Sequence, residues 1–249
     1  MAKKAIPISE LPVISKQTDP SISPDLFNTG AVILIDKPLE WSSFHAVKYV
    51  RNRIPPKKVG HAGTLDPLAT GLLVLCSGRA TKSISQIQEQ EKTYVATIQF
   101  GSSTPSFDAA TEADHIADWR HIQLDEVEKV LDQHFMGVIS QVPPIYSAIK
   151  VKGERLYKLA RRGEDVEIKP RNVHIHEHEI IEFKPPCLTL KVTCGKGTYI
   201  RSLAHDLGLI LKSRAHLSGL RRTAIGTYDV RLAFTPEEFD LFTKSLEKI

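Results

Sequence analysis

Gly60-His61-Ala62-Gly63-Thr64-Leu65-Asp66-Pro67-Leu68-Ala69-Thr70-Gly71-Leu72-Leu73-Val74-Leu75-Cys76, running on to Lys82, is the stretch that decides how this chain is read. Its glycines bracket a loop that holds one carboxylate, and Leu72 to Cys76 is an apolar run with the length of a buried strand. Pro67 disfavours helical backbone at the residue before it, so Asp66 is restricted to extended conformations. A single acid is thereby presented at the rigid edge of a sheet, the placement a catalytic carboxylate needs. An Asp-Pro pair alone would signify only a turn.

Upstream, Ala31 to Ile35 is a second apolar run, closed by Asp36-Lys37-Pro38, after which Ser42 or Ser43 can cap a helix carrying Phe44, Val47 and Val50. Downstream, Tyr94, Ala96, Ile98 and Phe100 share one face of a strand, and Leu188, Leu190, Val192 and Cys194 alternate likewise. Helical spacing links Leu124, Val127, Val130, Leu131, Phe135 and Met136, with Gly137 as the stop. Asn172 to Phe183 reads as a strand and Tyr199 to Leu207 as a helix. Strands and helices mix without strict alternation, which predicts an α+β fold around a largely antiparallel, mixed central sheet flanked by helices. Residues 1–28, punctuated by Pro7, Pro12, Pro20 and Pro24, lack periodicity and are expected to form a flexible tail ahead of a catalytic domain over 29–249.

A chain of 249 residues with 41% hydrophobic content can bury a proper core. No apolar run is long enough for a signal peptide or membrane span, so export and membrane residence are not expected. Cys76, Cys187 and Cys194 are odd in number and lack a C-x-x-C spacing, which argues against a disulfide framework or thiolate zinc site and fits the cytoplasm. The net charge of +4 names no partner, but it is unevenly distributed. Arg51, Arg53, Lys57 and Lys58 cluster without an acid, and residues 147–171 carry eight basic against four acidic groups. Either cluster is a solvated face or a strip for phosphates.

The central stretch resembles the core motif of the TruB family of tRNA pseudouridine synthases. The resemblance extends to Asp36-Lys37-Pro38 with Ser42-Ser43, to Lys92-Thr93-Tyr94, to Val142 through Lys150 with Gly153 and Tyr157, to Gly197 through Gly208, and to Leu220-Arg221-Arg222. These ordered motifs span about 30 to 226, far more specific together than singly. The resemblance implies the pseudouridine synthase fold and isomerisation of the T-loop uridine of tRNA, with the base flipped out of its stack and no cofactor or metal. It places Asp66 at the catalytic aspartate, Arg201 at the arginine that pairs with it, and Tyr94 at the tyrosine that stacks on the target base. His61 falls at the histidine that fills the space left by the extruded uridine, and Tyr199 and Leu220 at the walls of the uracil pocket. Lys37 is a supporting motif lysine, and Lys150, Lys152, Arg155 and Lys158 would grip the tRNA backbone at the T-arm and elbow. The partner so implied is tRNA, bound by a monomer.

Glu40 stands at the family's usual glycine, where a positive φ would strain the turn. His45 replaces a frequent aspartate, and Pro105 interrupts the usual Thr-Asp-Thr although Asp108 remains. A C-terminal RNA-binding domain of the PUA type is not expected, because little sequence follows Ile225. His174, His176 and His178 alternate on a strand, as if to present three imidazoles to a metal, but solvent-facing histidines at a sheet edge are the favoured account. Two further functions are kept beside the first: a tRNA-binding or folding protein without catalysis, and a guide-dependent synthase acting on ribosomal RNA.

Overall fold

The computed structural model describes residues 5–55, 58–147, 149–151, 154–156, 162 and 168–246. They fall into two compact units, Met1–Thr93 with Arg221–Ile249, and Tyr94–Leu220. Both boundaries lie inside strands, β5 (Lys92–Phe100) and β13 (Ala215–Ile225).

In the first unit, β2 (Val32–Lys37) runs antiparallel to β4 (Ala69–Ser77), with Val32 opposite Cys76 and Lys37 opposite Gly71. β4 is apolar at successive positions because both of its faces are covered. Leu73 and Leu75 pack with Ile33, Val47 and Phe239, while Leu72, Val74 and Cys76 pack with Leu34, Ile225 and Tyr228. Burying each such side chain contributes roughly 1.5–3 kcal/mol. β3 (Val59–His61) pairs antiparallel with β4, placing His61 opposite Leu75, so this histidine ends a strand and does not sit in the loop as expected.

α2 (Ser43–Arg51) begins where Ser42 Oγ accepts the His45 N–H at 3.0 Å, and its Ala46, Val47 and Val50 stripe faces the core. α6 (Pro236–Leu246) packs Phe239, Phe242 and Leu246 into the same core, and Arg53 Nε meets Asp240 Oδ1 at 2.6 Å. Residues 5–28 depart from the expected flexible tail. β1 (Val13–Ile14) pairs in parallel with β2, α1 (Asp25–Thr29) follows, and Leu11, Ile14 and Phe27 are buried. These anchors are too widely and irregularly spaced to show a period, yet each fills a site in a core built by other segments.

In the second unit, β5 buries Tyr94, Ala96, Ile98 and Phe100 on one face, as its alternation predicts. β11 (Arg171–Lys184) pairs antiparallel with β12 (Cys187–Cys194) on one side and β8 (Gly137–Gln141) on the other. α4 (Leu124–His134) buries Val127 and Leu131, while Leu124 and Met136 at the ends of the expected stripe are exposed. α5 (Ile200–Ile210) starts from Tyr199. β1–β2 is a parallel pair, whereas β2–β4, β3–β4, β8–β11 and β11–β12 are antiparallel, and the fold is of the expected α+β type.

The register of β11 shifts between Ile175 and Glu177: Ile175 faces Cys194 and His178 faces Val192. This bulge turns His178 to the face of Ile175, where its Nε2 lies 3.3 Å from Asp132 Oδ1. His174 and His176 remain adjacent, with ring centroids 4.1 Å apart. The three imidazoles therefore do not line one face, and the extra residue of the bulge is the reason.

Glu40 has φ of +66°, the left-handed conformation its glycine-like position demands, and its N–H donates to Pro67 O at 2.8 Å. A side chain in that region costs about 1–2 kcal/mol. Glu40→Gly is accordingly expected to raise the free energy of unfolding by up to about 1 kcal/mol, the remainder being offset by the freer unfolded chain. Urea melts would show this, and a loss of stability would contradict it.

Candidate active site

The loop between β3 and β4 carries Asp66, and several backbone groups on either side of it are tied down. Ser43 Oγ donates to Leu65 O at 2.9 Å and accepts from Leu65 N at 2.8 Å. Ala69 N donates to Asp66 O at 3.0 Å, closing the turn at Pro67.

Two buried cations complete the frame. Lys37, with no exposed surface, donates from Nζ to Trp41 O at 2.7 Å, Pro38 O at 2.9 Å and Pro67 O at 3.5 Å. Arg222 is 1% exposed and donates from Nε to Leu72 O at 2.8 Å, from Nη2 to Gly63 O at 3.2 Å and from Nη1 to Thr64 O at 3.5 Å. The backbone can come this close because Gly71 has no Cβ: one placed there would lie 2.2 Å from Arg222 O, and Gly71 also has φ of +100°. Gly71 thus lies within β4 and serves strand packing; it does not bound the loop.

Burial pulls the Lys37 pKa down to about 8, with the Asp66 carboxylate opposing the fall and Arg222 adding to it. Asp66 itself is half-buried and sits in the field of the Lys37 ammonium. His61, in contrast, is held neutral near pH 7, because burial lowers its pKa and the Arg222 charge adds to that, against a hydrogen bond with the Gly63 backbone. Its Nδ1 is buried without a hydrogen-bond partner among the described residues. Arg221, next to Arg222 but partly exposed, makes a two-pronged pair with Asp36 at 3.0 and 2.6 Å.

The second unit assembles a separate cluster. Arg201, 4% exposed on the first turn of α5, donates from Nη1 to Ser106 O at 3.0 Å and from Nη2 to Tyr146 O at 3.1 Å, and its Nε lies 3.5 Å from Asp108 Oδ2. Asp108 is held in turn by Ser106 Oγ at 2.7 Å and Ala110 N at 2.9 Å. The Tyr199 ring has the Arg171 guanidinium 4.7 Å and that of Arg201 5.8 Å from its centroid. Its backbone is fixed by Gln141, which accepts from Tyr199 N at 2.8 Å and donates to Tyr199 O at 3.0 Å. Tyr94 is buried on β5 and Leu220 half-buried on β13.

Of the residues singled out from the sequence, the structure groups Lys37, His61 and Asp66 in the first unit and Arg201 with Tyr199 in the second. Lys152 and Lys158 lie outside the described residues, as do the side chains of Lys150 and Arg155. Sequence reasoning missed Asp108 and Arg222 as parts of this framework. The signal for Asp108 was Thr104, Ser106 and Thr111 around one acid, a pattern of side chains that bond to nearby backbone. Among the described residues, no group of three His, Cys, Asp or Glu side chains could hold a metal, and no helix is long and apolar enough to cross a membrane.

Residues 51–200 match the family model described as TruB family pseudouridylate synthase (N terminal domain), and residues 201–246 that of the tRNA pseudouridylate synthase B C-terminal domain. The tRNA pseudouridine synthase B of Parabacteroides distasonis is 48% identical over 222 residues, covering 87% of this chain and 94% of that protein. That of Flavobacterium johnsoniae is 48% identical over 233 residues, covering 91% and 100%. Among solved structures, a Cbf5-Nop10-Gar1 complex aligns with a TM-score of 0.66 at 26% identity, over 94% of this chain. This chain spans only 59% of that Cbf5-complex chain. The extent of the family match and the level of identity establish that the chain belongs to the TruB family of pseudouridylate synthases.

Proposed function

We propose that this protein is a tRNA pseudouridine synthase that isomerises the T-loop uridine, with Asp66 as its catalytic carboxylate. One observation carries the assignment of the site: Asp66 rides on a loop whose carbonyls are clamped by Arg222 and Lys37 and whose Leu65 is held twice by Ser43. Such a loop fixes a carboxylate before substrate arrives, so little ordering remains to be done in the transition state.

The reaction breaks the N1–C1′ bond, turns the uracil and joins C5 to C1′; C5 gives up a proton and N1 gains one, so atoms balance. A carboxylate can serve as nucleophile at C1′ or as base at C2′. A stacked nucleotide hides C1′, so the uridine must first be flipped out. His61, neutral and with a free ring nitrogen, suits the space that the nucleotide leaves. Arg201, Tyr94, Tyr199 and Leu220 are the other residues that the family resemblance assigns to the reaction, and within the second unit Arg201 is held beside Asp108. The chemistry needs no metal or cofactor, and the enzyme works as a cytoplasmic monomer on the T-arm and elbow of tRNA.

The test is incubation of the purified protein with an unmodified tRNA transcript in EDTA, without guide RNA, followed by carbodiimide mapping. A single stop in the T-loop is the expected result. Modification only when a guide RNA is added would replace this reading with that of a guide-dependent synthase, and tRNA binding without modification would leave a folding protein.

A further inference from the structure

The helix that follows the catalytic loop's Ser43 clamp has an outer face that neither the core nor the catalytic chemistry uses. Phe44, next in sequence to Ser43, is 67% exposed, and Leu39 on the preceding turn is 53% exposed. Phe44, Lys48, Arg51 and Asn52 follow at helical spacing on one side of α2, and all four are exposed. Beside them His45 lies flat on Trp41, with centroids 4.2 Å apart and planes within 8°. Phe44, His45, Lys48, Tyr49 and Arg53 line a groove of about 390 Å³.

The charge along this face has one sign. No Asp or Glu occurs between Glu40 and Asp66, a span that holds Lys48, Arg51, Arg53, Lys57 and Lys58. Asp240 of α6, which reaches the groove through Arg53 at 2.6 Å, is also matched by Lys244 at 2.6 Å. Glu237 is the other acid felt by Tyr49. Lys48 and Arg51 carry no ion pair among the described residues. Uncommitted cations beside an exposed aromatic face are the combination that holds unpaired nucleotides: a ring offers stacking to any base, and the cations meet the phosphates.

We propose that this face of α2 is a second RNA contact, on which a base stacks against Phe44 while the neighbouring phosphates meet Lys48 and Arg51. It rests on the reading of the protein as a tRNA synthase and deepens it. Because Ser43 joins the start of α2 to Leu65, the contact begins beside the Asp66 loop and leads away from it. The occupant is the stretch of substrate RNA next to the flipped nucleotide.

The experiment measures tRNA affinity as a function of salt for wild type, Phe44→Ala and the double variant K48S/R51S, with Arg231→Ser, an exposed cation already paired with Asp229, as control. The double variant is expected to bind about tenfold more weakly at low salt and to lose about one to two from the slope of log affinity against log salt. Phe44→Ala should weaken binding by about fivefold or more with the slope unchanged, since stacking releases no counterions. All substituted side chains are exposed, and thermal melts verify that the variants fold. Wild-type affinity and slope in these variants, alongside normal pseudouridine formation by the wild type, would overturn the proposal. So would a dimer of the wild type that Phe44→Ala dissociates without change in tRNA affinity. If the wild type neither binds nor modifies tRNA, it is the proposed function that fails.

Discussion

Asp66→Asn is expected to abolish pseudouridine formation, by more than about a thousandfold in single-turnover rate, while tRNA binding persists. Asparagine keeps the shape of the side chain and removes only the charge and the nucleophilic or basic oxygen. The clamps from Ser43, Lys37, Glu40 and Arg222 all reach backbone groups of the loop, so its path survives the change. Lys37 loses the attraction that opposes the fall of its pKa and gives up its proton more readily. The measurement is tritium release from C5-labelled tRNA beside filter binding, and turnover within tenfold of wild type would remove Asp66 from the mechanism.

Arg222→Met should be the most damaging substitution outside the reacting groups. Methionine fills much of the space but withdraws donors from Leu72 O, which is buried away from water, and from Gly63 O and Thr64 O, in bonds that are only partly buried. Each buried carbonyl left without a partner costs about 1–3 kcal/mol. The bonds to Gly63 and Thr64 are long and water can reach those carbonyls, so the loss is dominated by Leu72 O at about 2–3 kcal/mol, or a melting temperature lower by roughly 5–10 °C. Activity measured well below that melt should also fall, because the same carbonyls belong to the loop of Asp66. Arg222→Lys, with one donor able to reach Leu72 O, should recover part of the stability. Calorimetry decides the matter: a methionine variant that melts with the wild type would show that the guanidinium braces nothing.

Elements that bury a regular face were legible in the sequence. β5 and β12 show alternation because one face of each is buried, and the α2 stripe shows because three of its residues meet the core. β4 was legible for the opposite reason, an unbroken apolar run covered on both sides. The N-terminal segment was not, since Leu11, Ile14 and Phe27 answer to cavities made by distant segments. Nor was the bulge in β11, because one inserted residue changes which face a side chain occupies without changing the composition. At the site, Asp66 stood out through its surrounding motif. Arg221 and Arg222 look alike in sequence, and only the packing of β13 makes one a partly exposed partner of Asp36 and the other a buried brace.

The core around β2 and β4 is completed by Ile14 and Phe27 from near the start of the chain and by Phe234, Phe239 and Leu246 from near its end. On the ribosome, therefore, residues 94–220 can assemble as a continuous stretch while the half that bears Asp66 waits, its hydrophobic surface open, for α6 to leave the exit tunnel. The nascent chain becomes competent for chemistry only after residues 234–246 have emerged.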